Sequence, residues 1–264
     1  MPPRKIIYDF GANNGDDIPY YLKKADLVVA VEANPSLCRG IEARFAAEIR
    51  AGRVQVENCV LVGEGEAPEV YFYLHKRHHV LGQFPKPDAN VIADYDQILL
   101  PSRRVLDVLR RYGDPYYVKI DIEHSEEAIL KELFRNGIRP PFLSAEAHSI
   151  KVFALLAGLG DYKAFKLVDG PTVATQYKDH VLSPSGERYS FPPHSAGPFG
   201  EDVAGDWLSA DDLFERLADQ GLGWKDIHAT NLMPEPASRL RNSRARRRHL
   251  GAWLRGAFRP RRKA

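Results

Sequence analysis

The chain has 264 residues, 44% of them hydrophobic, which is enough for one large domain with a substantial core. Its longest apolar stretches, Leu27–Val31 and Val152–Leu159, fall well short of the roughly 18–20 residues that cross a bilayer. The net charge of +2 conceals an asymmetry: residues 238–264 hold eleven Lys or Arg and no acid, leaving 26 basic against 35 acidic side chains in residues 1–237, a formal −9. An acidic body is a poor nucleic-acid surface.

The start, Met1-Pro2-Pro3-Arg4-Lys5, has no signal-peptide core, so a cytoplasmic protein is expected. Lys5–Phe10 and Leu27–Glu32 read as the first two strands, with a short helix near Ile18–Lys24 between them. Asn34 is placed to cap a helix with Pro35 in its first turn, and Leu37, Ile41, Phe45 and Ile49 recur on one face of it. Val54–Val62 reads as a third strand and Val70–Leu74 as an edge strand. Cys38 and Cys59 are the only cysteines and form no CxxC pair, so neither a disulfide framework nor a zinc site is indicated.

Residues 75–97 form a long polar segment. Ser102 is expected to cap a helix over Arg103–Tyr112, and Gly113-Asp114-Pro115 breaks it before a strand at Tyr116–Ile122. Ser125 is expected to cap the next helix, which runs to Asn136. Phe142–Ala147 reads as a buried strand, Ile150–Leu159 as a helix and Ala164–Val168 as a strand. Residues 183–206 hold eight Gly or Pro, and a helix is expected at Ala210–Gln220. Short apolar runs alternating with helical patterns predict an α/β fold with a mainly parallel central sheet flanked by helices. The domain is expected to span 1–237, with 75–97 and 183–206 as active-site loops.

The turn Gly11-Ala12-Asn13-Asn14-Gly15 follows the first strand and an acid, Asp9. A dinucleotide site needs G-x-G-x-x-G, and here the middle Gly position is Asn13. A carboxylate at Asp9 repels phosphate but attracts a cationic ligand. Glu32, at the tip of the second strand, can accept from both hydroxyls of a ribose. S-adenosylmethionine (SAM) therefore fits better than a dinucleotide, while an ordinary βα turn with Gly supplying positive φ remains the alternative.

The block Lys119-Ile120-Asp121-Ile122-Glu123-His124 places ionisable groups at the C-terminal end of a strand, where open α/β sheets bind ligands. Together with Asp9-Phe10-Gly11-Ala12-Asn13-Asn14-Gly15 and Val31-Glu32-Ala33-Asn34-Pro35, it makes the chain resemble the FkbM family of SAM-dependent methyltransferases over roughly residues 5–170. The family shows a D-x-G-A-N-x-G turn, an E-x-N-P strand end and a K-I-D-x-E-G-x-E block in this order; its usual Gly is His124 here. The resemblance implies a Rossmann-like class I methyltransferase fold, SAM as cofactor, and O-methylation of a carbohydrate or natural-product hydroxyl.

By that resemblance, Gly11, Ala12, Asn13, Asn14 and Gly15 would cradle the methionine end of SAM, with Asp9 and Asn13 on its charged groups. Glu32 and Ala33 would hold the ribose, Asn58, Cys59 and Val60 would face the adenine, and Asp121 would lie beside the sulfonium or amino group. A hydroxyl acceptor needs a base, and the candidates are Asp121, Glu123, His124, Glu146 and His148. Asp121 and Glu123 could instead hold a divalent metal, but no third protein ligand is evident and no metal site is assigned. His75, His78 and His79 read as a solvated loop; His194 would reach the acceptor if its loop is a lid.

Leu250, Trp253, Leu254 and Phe258 recur at helical spacing among arginines, a pattern that suits an anionic membrane surface or an acidic partner as well as a solvated tail. Two other functions stay open at this point: a SAM- or nucleotide-binding module without catalysis, and a nucleic-acid methyltransferase that uses the tail.

Overall fold

The computed structural model of the chain describes residues 3–238. In chain order its first half contains β1 (Ile6–Phe10), α1 (Ile18–Tyr21), β2 (Leu27–Glu32), α2 (Pro35–Arg44), α3 (Ala46–Arg50), β3 (Val54–Asn58), β4 (Val60–Val62), β5 (Glu69–His75), β6 (Tyr95–Arg104) and α4 (Val105–Tyr112). The second half contains β7 (Tyr117–Ile120), α5 (Glu126–Arg135), β8 (Phe142–Glu146), α6 (Ile150–Ala154), β9 (Ala164–Asp169), α7 (Val173–Gln176), β10 (His180–Val181), β11 (Arg188–Tyr189), α8 (Ala210–Gln220) and β12 (Lys225–Thr230).

Seven strands form one sheet in the order β3-β2-β1-β7-β8-β12-β9. Strand β12 is antiparallel to both neighbours, and the other pairs are parallel. All residues of β1 and β2 are buried, as continuous apolar runs covered on both faces must be. The order has one consequence for function. From β1 the chain steps outward to β2 and β3, then returns to place β7 on the other side of β1. That reversal opens a crevice beyond the carboxyl ends of β1 and β7.

Helices cover both faces. On one, Tyr8, Phe10 and Val29 pack with Ile129 and Leu133 of α5 and Leu213 of α8. On the other, Ile7 and Val28 pack with Tyr20 and Tyr21 of α1 and with Phe191 and Phe199 from the Gly/Pro-rich segment. The Phe199 ring stacks on Tyr117 of the sheet, centroids 4.0 Å apart and 9° between planes. Asp17 accepts from the Ser195 hydroxyl and from the Ala196 N–H, and Tyr20 donates to Asp202 at 2.9 Å. Much of 183–206 is therefore fastened to the sheet.

The sequence reading needs three local corrections. Val54–Val62 is two strands: after Cys59 the chain leaves the main sheet, and β4 joins a second sheet of order β4-β6-β5. Ser102 caps no helix; it lies within β6, and its hydroxyl donates to the Ala67 carbonyl. Ser125 stands at the N-cap of α5 but makes no cap bond, because its hydroxyl donates to Phe84 O instead. By contrast Asn34 does cap α2, accepting from Ser36 N at 2.9 Å. Residues 239–264, with the amphipathic pattern at Leu250–Phe258, lie outside the described residues. Among the described residues no helix is long and apolar enough to cross a membrane.

Candidate active site

A cavity of about 470 Å³ opens at the crevice. Gly11 and Asn13 reach it from the turn after β1, Glu32 and Ala33 from the end of β2, and Cys59 and Val60 from the junction of β3 and β4. Asp121 and Glu123 reach it from beyond β7, and Glu146 and His148 from the end of β8. Glycine at position 11 is a geometric requirement: its φ is +84°, and an added Cβ would sit 1.7 Å from the Asp121 carbonyl oxygen.

Glu32 is fixed by its backbone surroundings. Oε2 accepts from Asn13 N at 2.8 Å and Oε1 from Asn34 N at 2.7 Å. Each oxygen keeps a further lone pair for a ligand. Burial pushes this carboxyl up to about 7 despite the two N–H groups, so a ligand that donates to it favours its ionised form. Asn13 also has positive φ, at 49°, and its Oδ1 is buried without a hydrogen-bond partner among the described residues.

Several residues expected on the ligand are elsewhere. Asp9 is fully buried and does not line the cavity. Its partner in the adjacent strand is Lys119, whose Nζ lies 3.3 Å from Asp9 Oδ1 and 3.2 Å from Asp121 Oδ2, and donates to Gly11 O at 3.0 Å. Asp9 therefore sits behind the turn beside Lys119, and burial pushes its carboxyl up to about 7. Ala12 and Gly15 are buried beneath the turn, Gly15 against Ile18, Ile41 and Phe45. Asn14 donates to Asp16, and the Asn58 amide is spent on the carbonyls of Glu32 and Ala33. His124 is also absent from the lining, its ring 4.8 Å from that of His148.

The remaining candidates form a connected cluster. His148 Nε2 lies 2.9 Å from Glu146 Oε2 and 3.5 Å from Glu123 Oε2. Burial with the neighbouring Asp121 pushes Glu146 up to about 10, while Lys119 helps hold Asp121 below its ordinary value. Burial also pushes Glu123 up to about 7. Both Glu123 and His124 adopt positive φ, 46° and 74°, which explains why glycine suits the second position.

The lining also includes residues that no motif marked. Phe72, Leu81 and Phe84 come from the second sheet and the loop beside it, and Ser125 ties that loop to the site through Phe84. Trp224 precedes β12 and stacks on His194, centroids 6.1 Å apart and planes 16° apart. Of residues 183–206, His194 is the one that lines the cavity; His79 does so from the 75–97 segment, while His75 and His78 do not.

Residues 9–157, more than half of the chain, match the model of the methyltransferase FkbM domain. The chain belongs to the FkbM methyltransferase family. As in the family, SAM is the methyl donor, and the sheet described above is the Rossmann-like class I methyltransferase architecture. No protein of curated function matches the chain significantly. Among solved structures, it is similar to a precorrin-6y C5,15-methyltransferase from Geobacter metallireducens, with 13% identity and a TM-score of 0.37 over 62% of this chain. That alignment covers 64% of the Geobacter protein, just under two thirds. It is also similar to a precorrin 8w decarboxylase from Methanobacterium thermoautotrophicum, with 12% identity, a TM-score of 0.38, and 87% and 82% of the two chains covered. The C-terminal domain of a Rhodobacter capsulatus precorrin-6Y C5,15-methyltransferase gives 11%, 0.39, 87% and 82%.

The residues present suit the FkbM cofactor. Glu32 offers two fixed acceptors to a diol, and Asn13 Oδ1, without a hydrogen-bond partner among the described residues, suits an ammonium donor.

Proposed function

We propose that this FkbM protein transfers the methyl group of SAM to a hydroxyl of a small-molecule acceptor, a carbohydrate or natural product. The observation that carries this reading is a single cavity lined both by the Glu32–Asn13–Gly11 cradle and by the Asp121–Glu123–Glu146–His148 cluster. In this reading Glu32 holds the ribose, Gly11 and Asn13 the methionine end, Cys59 and Val60 the adenine, and Asp121 lies beside the sulfonium.

SAM is an activated donor, so the protein's main contribution is in-line placement of acceptor and sulfonium. When bound, SAM would supply the methyl group, its sulfur taking the electron pair of the C–S bond as the acceptor oxygen bonds to the methyl carbon. The hydroxyl proton leaves on the side of the carboxylate–imidazole cluster, which supplies the groups a neutral alcohol needs and an activated donor does not.

Calorimetry with SAM tests the cofactor half. Glu32→Ala should weaken binding at least ~10-fold, the loss of charge-assisted hydrogen bonds worth roughly 1.5–3 kcal/mol. Unchanged affinity would remove Glu32 as the ribose anchor. Release of S-adenosylhomocysteine with panels of glycosides and of amines tests the acceptor half: turnover confined to amines would overturn the hydroxyl assignment.

A further inference from the structure

Asp121 and Glu123 alone are a poor metal site, since they come with no third ligand in the sequence. The fold supplies a different set. Glu123, Glu146 and His148 each offer one ligand atom, and these atoms all lie within 4.8 Å of one another. Glu146 ends β8 and His148 lies in the bend just after it, its Nε2 2.9 Å from Glu146 Oε2. Glu123 is brought to them by the left-handed turn at 123–124.

Two further observations point to a ligand here. His148 Nε2 is buried and close to two carboxylate oxygens, yet it makes no aligned hydrogen bond to either. Asp226 is 3% exposed and pairs in register with Glu146 across β12 and β8, which puts both side chains on one face. Its Oδ1 has no hydrogen-bond partner among the described residues, although Asp226 does not itself line the cavity. Charge agrees with this: Lys119 faces Asp9, Asp17, Asp121 and Asp226, whereas Glu123 and Glu146 have only His148 at ion-pair distance among the described residues.

We propose that Glu123, Glu146 and His148 hold one divalent transition-metal cation of the Mn²⁺ type in the wall of this cavity. Two carboxylate oxygens and one imidazole nitrogen suit such a cation better than Ca²⁺, which takes oxygen ligands. Three protein ligands leave open positions facing the cavity. The site itself is independent of the acceptor. Its role rests on the methyl-transfer reading above: an acceptor hydroxyl at an open position would be acidified and release its proton to solvent.

The test is titration of the full chain with MnCl₂, followed by electron paramagnetic resonance and calorimetry, with SAM titrated into the same samples. One Mn²⁺ per chain should bind. Glu146→Gln, His148→Ala and the more exposed Glu123→Gln should each weaken it at least ~10-fold, with SAM affinity held within about twofold as evidence of an intact fold. Lack of saturable Mn²⁺ binding by the wild type, or wild-type Mn²⁺ affinity in all three variants, overturns the site. If SAM still binds in those samples, the cation site alone has failed; loss of SAM binding by the wild type is the failure that belongs to the methyl-transfer reading.

Discussion

At position 124 the backbone and the side chain want different things. A φ of +74° costs an ordinary L-residue of order 1 kcal/mol or more, and Glu123 before it is also left-handed, at 46°. His124 has a ring contact with His148 to set against that cost but no place in the cavity lining. His124→Gly should therefore stabilise the fold by about 0.5–1 kcal/mol, the relief of strain exceeding the added freedom of the unfolded chain. Urea unfolding measures it, and a destabilised variant would mean that the ring contact outweighs the backbone. Single residues also show where the sequence is readable. Glu32 ends its strand and faces the cavity, as its position suggests. Asp9 holds the comparable place in β1, yet it is fully buried beside Lys119 of the adjacent strand and does not line the cavity. No local pattern reveals that, because the pairing joins residues far apart in the chain. The choice of SAM over a dinucleotide rests on the family match, with Asn13 at the middle Gly position in agreement.

Elements were legible where a mostly apolar run is bounded by turn residues: β1, β2, β7 and β8, buried along their length, all read from the sequence. Strands β6 and β12 did not. In β6 the exposed positions and Pro101 hide the pairing, and in β12 the sequence Lys225-Asp226-Ile227-His228-Ala229-Thr230 looks polar although five of its six residues are buried. That disguise has an energetic consequence. His228 is 2% exposed, and burial together with the neighbouring Lys166 holds it down at about 3, against an ordinary 6.5. A base with a depressed folded value binds its proton in the unfolded chain first, so its contribution is intact above about 6.5 and is lost as pH falls below that. The buried carboxyls held above their ordinary values, Glu32 among them, run the other way, so the wild-type profile alone does not isolate His228. His228→Leu does. Relative to wild type, the variant should gain about 2 kcal/mol between pH 7.5 and pH 5, from roughly 1.4 kcal/mol per unit of proton linkage. Parallel unfolding curves at the two pH values would show that His228 is not buried in its neutral form.

For the whole molecule, charge is divided along the chain: the family domain and cavity lie within an acidic stretch of formal −9, and the eleven basic residues follow it. Among the described residues, those lining the cavity fall between Gly11 and Trp224, so a chain ending at residue 237 is expected to keep the site. SAM affinity of that truncation should match the full chain within about twofold. The tail's own chemistry is electrostatic, with Trp253, Leu254 and Phe258 available to add apolar contact on an anionic lipid surface. The full chain should then sediment with vesicles rich in anionic lipid at low salt, and the truncation should stay in the supernatant. Raising the ionic strength toward physiological, where the screening length shortens to about 8 Å, should weaken that sedimentation without abolishing it if the aromatic residues insert. Complete release by salt would leave charge alone as the contact. Equal sedimentation of the two chains would place any lipid contact on the acidic body, where the charge balance opposes it.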